Sequence, residues 1–367
     1  MGFLEVLNGA VVMAPMTKGS NLPYRRLCVE LGATITVSEM TLARRLKQKR
    51  SSEFALIRRF PGEPCFGVQL ASNKPDETSW AAALVESRGA DFVDMNFGCP
   101  IDFFTRNGLG ASIGRQPGRV RRLVEAMKTA VTNIPVTAKI RLGWNDENRN
   151  YLQQAQAAVD GGATALFVHG RTRNARYRFA ADWDTIGEIT AAVPIPVIGN
   201  GDLLFPHEID AARARSGCAA VMVARAALIK PWIFKEAGAG YWDITADERV
   251  AVYRRYATLA RDHWGEDEHG LARVRTFVHW HLDFWCRYVP RDDDGKFPSM
   301  QHRVETMPAR SPLEALLGRS DAEAKIYLAE CLVTGSPIDP AGAPAPLPSR
   351  SSNDRDRART DMVEAEG

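Results

Sequence analysis

"AVVMAPMTKGSNLPY", residues 10–24, begins as a buried strand and ends in a turn whose only glycine is Gly19. An open doubly wound sheet that holds a dinucleotide needs a glycine-rich turn directly after its first strand. No such turn is written here, which favours the other parallel α/β solution, a closed (β/α)8 barrel.

Outward from this stretch the same theme returns: a short apolar, β-branched run, a polar turn, then helical periodicity. The runs are "TITVSEM" (34–40), "CFGVQLA" (65–71), "FVDMNFG" (92–98), "VTAKIRL" (136–142), "ALFVHGR" (165–171), "PVIGNGD" (196–202) and "AVMVARA" (220–226). Helical stretches at 75–89, 118–131, 151–162 and 206–217 lie between them, several closed by a glycine. With the opening run they make eight strands, so residues 1–240 are expected to form a TIM barrel. From 241 the strand signals stop. "TADERVAVYRRYATLARDHW" (245–264) opens with a capping box, Thr245 and Glu248, and predicts a helical domain over 241–335. Residues 336–367, rich in Pro, Ala, Ser and mixed charge with little to bury, are expected to be a disordered tail.

A chain of 367 residues that is 45% hydrophobic can build one large core or two ordinary ones. Its net charge of +3 confines any polyanion contact to local patches. "ARRLKQKR" (43–50), "GRVRRL" (118–123) and "RTRNARYR" (171–178) are such patches, and the third, beside a strand end, is the favoured phosphate contact. Phe277, Trp280, Phe284 and Trp285 read as helical-domain core rather than as a stacking platform. Six cysteines without C-x-x-C spacing or a His pair at zinc spacing suggest neither a disulfide frame nor a metal site, and fit a reducing cytoplasm. No signal peptide and no apolar run of about eighteen residues is written, so no membrane role is expected.

Barrels of this kind build their sites at the carboxyl ends of the strands. Those ends carry Pro15 and Met16, Glu39, Gln69, Asn96 with Cys99, Lys139 with Arg141, His169 with Arg171, Asn200 with Asp202, and Arg225. The period of two puts Lys139 and Arg141 on one strand face, which calls for an anionic or electron-rich guest. Gly199 and Gly201 permit close backbone approach, and with Arg225 they suit a phosphate at the last two strands. Cys99, between Gly98 and Pro100, reads as the most exposed thiol, on a mobile loop, and as a nucleophile or proton donor. The other five cysteines read as small buried hydrophobes.

"APM", "NLPYRRLC", "SEM", "GVQL", "DMNFGCP", "KIRLGW", "VHGRTRNARY", "ADW", "GNGD" and "VARAAL", in that order, resemble the tRNA-dihydrouridine synthase family up to about residue 335. "GCPIDFFTRNGLGAS", "LIKPWIF" and "HWGEDEHGLARVRTFVHWHLDFWCRYVP" resemble most the class whose eukaryotic members modify the tRNA variable loop. The resemblance implies FMN in the barrel, NADPH as hydride donor, a helical domain that binds tRNA, and Cys99 as the acid that protonates C5 of a uracil. It implies Pro15, Met16, Gln69, Lys139, His169, Asn200, Gly201, Asp202, Ala224 and Arg225 around the flavin. Asn96, Arg141 and Arg171 are then candidates for the uracil and its phosphate. That class carries zinc-finger extensions which this chain is without, so its hold on tRNA is expected to rest on the barrel rim and the helical domain. A monomer is expected. Two other readings stay open: a flavin barrel acting on a free pyrimidine or small enone, and a non-catalytic tRNA-binding protein.

Overall fold

The computed structural model describes residues 2–292, 294–298, 300 and 308–347. They divide into two compact units, one made of residues 2–22 and 33–224, the other of 23–32 and the chain from 225 on.

The first unit is a closed parallel barrel. Its strands are β1 (Val11–Met13), β2 (Ile35–Val37), β3 (Cys65–Ala71), β4 (Phe92–Asn96), β5 (Val136–Arg141), β6 (Ala165–His169), β7 (Val197–Asn200) and β8 (Ala220–Val223). Each pairs with the next, and β8 returns to β1. A two-residue strand, Thr41–Leu42, adds itself to the end of β3 and has no counterpart in the sequence reading. Strands of a closed barrel are covered on both faces, and β3 and β4 are buried at every position, the polar Gln69, Asp94 and Asn96 included. The intervening helices include Pro75–Ser87, Pro117–Ala130, Tyr151–Asp160 and Pro206–Ser216, the last closed by Gly217 in the left-handed region.

Phe3, on the helix Phe3–Leu7, lies 4.2 Å from Phe92, and Phe92 lies 6.3 Å from Phe167. Gly67 on β3 makes room for this cluster, because a Cβ there would stand 2.1 Å from Phe92 Cζ. This layer is solid core.

The second unit is helical, and its long helices are Ala246–Trp264, Glu268–Trp285 and Ala322–Thr334. The expected capping box is present: Glu248 N–H donates to Thr245 Oγ1 at 3.3 Å, and Thr245 N–H to Glu248 Oε2 at 2.8 Å. Tyr253 stacks on Trp285 at 4.1 Å and Tyr24 on His281 at 4.0 Å. Phe284 and Trp285 are buried as expected, whereas Phe277 and Trp280 are half-buried. This unit starts at Arg225 rather than 241 and includes residues 23–32, since the Tyr24 hydroxyl donates to Ala227 O at 2.8 Å. Of the tail expected from 336, Asp339 N–H donates to the Tyr327 hydroxyl at 2.9 Å and Arg254 donates to Ser336 O at 2.7 Å. Residues 348–367 of that tail lie outside the described residues. Among the described residues no helix is long and apolar enough to cross a membrane, and no group of three or more His, Cys, Asp or Glu could hold a metal.

Candidate active site

The carboxyl ends of β3, β4 and β5 carry a directed chain of hydrogen bonds. Register sets Gln69 beside Asp94 and Asn96 beside Lys139. Asp94 accepts from Gln69 Nε2 and from Thr137 Oγ1, both at 2.7 Å. An ionised carboxylate only accepts, so the Gln69 amide must turn its nitrogen to Asp94 and its oxygen to Asn96. Asn96 Nδ2 donates to that oxygen at 2.7 Å, which leaves Asn96 Oδ1 to accept the backbone N–H groups of Gly98 at 3.0 Å and Cys99 at 2.8 Å. Asp94 is absent from the residues singled out in the sequence. Its signal was there, two positions before Asn96 on the same face of "DMN". Burial raises its carboxyl to about 6, with Gln69, Thr137 and the Lys139 charge opposing the rise.

Cys99 corrects one expectation. It is 3% exposed, and of the six thiols Cys286 is the partly exposed one. Backbone groups that leave the strand ladder need partners. Asn96 accepts the Cys99 N–H, and Cys99 O accepts the Ala111 N–H at 3.0 Å, so the loop closes over the thiol instead of standing free. Gly110 permits this fold: its φ is 58°, and a Cβ there would stand 2.7 Å from Cys99 O. Burial pushes the Cys99 thiol up, against the Ile101 backbone and the Arg141, Arg173 and Lys139 charges.

Lys139 is half-buried and donates to Asn200 Oδ1 at 3.2 Å, while Asn200 Nδ2 donates to Met222 O at 2.8 Å. Burial and the Arg141 charge bring the Lys139 ammonium down to about 8. Arg141 and Arg171, expected at the substrate, are buried and brace loops. Arg141 Nε donates to Gly98 O at 2.6 Å and its Nη1 to Thr172 O at 3.3 Å, joining the Cys99 loop to the loop after β6. Burial lowers this guanidinium to about 10. Arg171 pairs with Asp202, donates to Phe179 O at 2.7 Å and lies 3.3 Å from His169 Nε2. Register places His169 between Arg141 and Asn200.

The two glycines of "GNGD" are also required by packing. A Cβ on Gly199 would meet the Trp183 ring at 2.3 Å, and one on Gly201, at φ 140°, would meet Ala181 Cβ at 2.4 Å. At β1, Met16 is buried and Pro15 half-buried; Ser20 Oγ receives the Met16 N–H at 2.9 Å and donates to Ala14 O at 2.8 Å. Glu39 accepts the Lys18 N–H at 2.7 Å. Ala224 is the last residue of the first unit, and Arg225 opens the helix Arg225–Ile229 of the second. Gln69, Asn96, Cys99, Lys139, Arg141, His169, Arg171, Asn200 and Asp202 are thus joined by register and hydrogen bonds at one end of one barrel.

A family model described as dihydrouridine synthase matches residues 12–283. The chain belongs to the dihydrouridine synthase family. A Coprinopsis cinerea protein named tRNA-dihydrouridine(47) synthase NAD(P)(+) is 36% identical over 90% of this chain and 51% of its own length. One of the same name from Cryptococcus neoformans is 39% identical over 84% of this chain and 45% of its own length. A human protein with that name and the suffix "-like" is 36% identical over 92% and 52%. The chain therefore spans about half the length of these relatives. Among solved structures, 6-hydroxypseudooxynicotine amine oxidase from Pseudomonas geniculata N1 superposes with a TM-score of 0.51 at 14% identity, over 64% of this chain and 48% of that one. That likeness concerns the barrel fold alone.

Proposed function

We propose that this dihydrouridine synthase family member reduces the C5–C6 double bond of a uridine in tRNA, with FMN in the barrel, NADPH as reductant and Cys99 as proton donor. The observation that carries the reading is the setting of Cys99, a buried thiol whose backbone is held by the Asp94, Gln69 and Asn96 chain at the barrel end that also holds Lys139. The names of the curated relatives support the tRNA substrate and the nicotinamide reductant.

The donor set suits a flavin. Gln69, Asn96 and Asn200 are buried amides, while Lys139 and Pro15 keep accessible surface. An ammonium brought down to about 8 despite nearby Asp94 gains from an electron-rich guest. Lys139 and Gln69 would hold the ring edge, with Pro15 and Met16 behind it and His169 beside it. Asn200, Gly201, Asp202 and Ala224 would face the ribityl phosphate end. When bound, FMN would supply hydride-transfer chemistry between NADPH and the uracil.

The protein's own part is acid catalysis and placement. Burial keeps the Cys99 proton on Sγ at neutral pH, and the thiol releases it to C5 as negative charge develops there. A serine hydroxyl would be far too weak an acid for this step. Arg141 and Arg171 act at one remove, by fixing the loops around the uracil site. The target must leave its stack, which costs a few kcal/mol, and the helical unit is assigned to gripping the rest of the tRNA. Six free thiols suit a reducing cytoplasm, where the chain is proposed to act as a monomer.

Purification tests this directly. The expected protein is yellow, oxidises NADPH, and leaves dihydrouridine in unmodified tRNA but not in free uridine. Turnover of free uridine would favour a small-molecule reductase, and a colourless protein that shifts tRNA on a gel would leave only a binding role.

A further inference from the structure

The loops that follow β4 (residues 101–107, which include the short helix Asp102–Arg106) and β6 (residues 172–180) carry Phe103 and Phe179, which are 61% and 62% exposed. Single exposed apolar residues are ordinary on protein surfaces. These two differ in that their backbones are pinned while their rings face solvent. Asn107 Nδ2 donates to Phe103 O at 2.6 Å, and Arg171 Nε, itself ion-paired to Asp202, donates to Phe179 O at 2.7 Å. The two loops are also joined to each other, because Arg173 donates to Pro100 O at 3.1 Å and pairs with Asp102. Arg173 lies over one face of the half-buried Trp144, 4.6 Å from its centroid, which further fixes the bridge.

Charge on this rim is net positive. Its two loops hold Arg106, Arg173, Arg176 and Arg178 against Asp102 as the one acid. Arg173 engages Asp102, and Arg106 and Arg178 are exposed. A partner suited to flat apolar rings set among guanidinium groups is a polyanion that also carries flat rings, which describes unstacked RNA nucleotides. Flipping one base out of an RNA leaves its neighbours without a stacking partner, and exposed rings on backbones fixed beside the mouth can supply one.

We infer that Phe103 and Phe179 are nucleobase-stacking residues that receive the nucleotides flanking the target uridine, with Arg106 and Arg178 on their phosphates. This rests on the tRNA reading above and adds to it the rim residues that hold the neighbouring bases.

The test is the affinity of the full-length protein for an unmodified tRNA transcript, measured across a salt series. Phe103→Ala and Phe179→Ala are each expected to weaken binding about tenfold, with an unchanged slope of affinity on salt and unchanged thermal unfolding. Phe103→Trp should restore wild-type binding and Phe103→Leu should not, since leucine keeps apolar bulk without a π face. Arg178→Gln should lower the salt slope by about one. Alanine or leucine variants that bind as tightly as wild type would overturn the stacking role while leaving the proposed reaction standing. Failure of the wild-type protein itself to bind tRNA would overturn both.

Discussion

The two ends of the barrel use the same strands for opposite purposes. At one, Phe3, Phe92 and Phe167 fill the interior and Gly67 gives up its side chain to admit a ring. Two residues further along β4 the same inward face carries Asp94, then Asn96, and the chemistry becomes polar, directed and partly accessible at Lys139. The period of two is common to both ends, so pattern alone does not separate them. What separates them is which inward groups have satisfied partners within the protein and which retain surface for a guest.

Three experiments probe that contrast. The largest effect is expected at the polar end: Cys99→Ala should slow dihydrouridine formation on tRNA by about a hundredfold to ten-thousandfold while the purified protein keeps its flavin. Product formed at the wild-type rate would remove Cys99 from the chemistry. Next, at the apolar end, Phe92→Ala should cost about 3–5 kcal/mol of stability, read by denaturant unfolding. A loss of turnover with no loss of stability would erase the distinction between the ends.

The smallest effect belongs to Asp94, which sits between them. Its carboxyl is raised to about 6 in the fold, against an ordinary value near 4, so the folded chain keeps a proton that the unfolded chain has released. That costs stability as pH rises through this window, by about 3 kcal/mol, and the cost is absent at lower pH. Asp94→Asn, which still accepts from Gln69, should therefore gain stability on wild type between about pH 4 and pH 7. A difference that stays flat with pH would mean that Asp94 ionises freely in the folded chain.

The eight strands, the direction of the sheet and the capped helix at Thr245 could be read from local pattern, because each follows from side-chain period and turn chemistry within a few residues. So could the identity of the ring residues at the strand ends, since a parallel barrel puts all those ends on one side. Their tasks could not be read that way. Arg141 and Arg171 read as substrate contacts, and the structure shows that each also braces loops, because their partners Gly98, Thr172, Phe179 and Asp202 are brought to them only by barrel closure. Asp94 went unread for the same reason, as Gln69 and Thr137 lie on neighbouring strands. Sequence alone determined which groups arrive at the mouth, through spacing along each strand. Tertiary structure alone decided which groups satisfy one another there, because hydrogen-bond partners come from segments that meet only when the sheet closes, and it buried Cys99 where local pattern had left it in solvent.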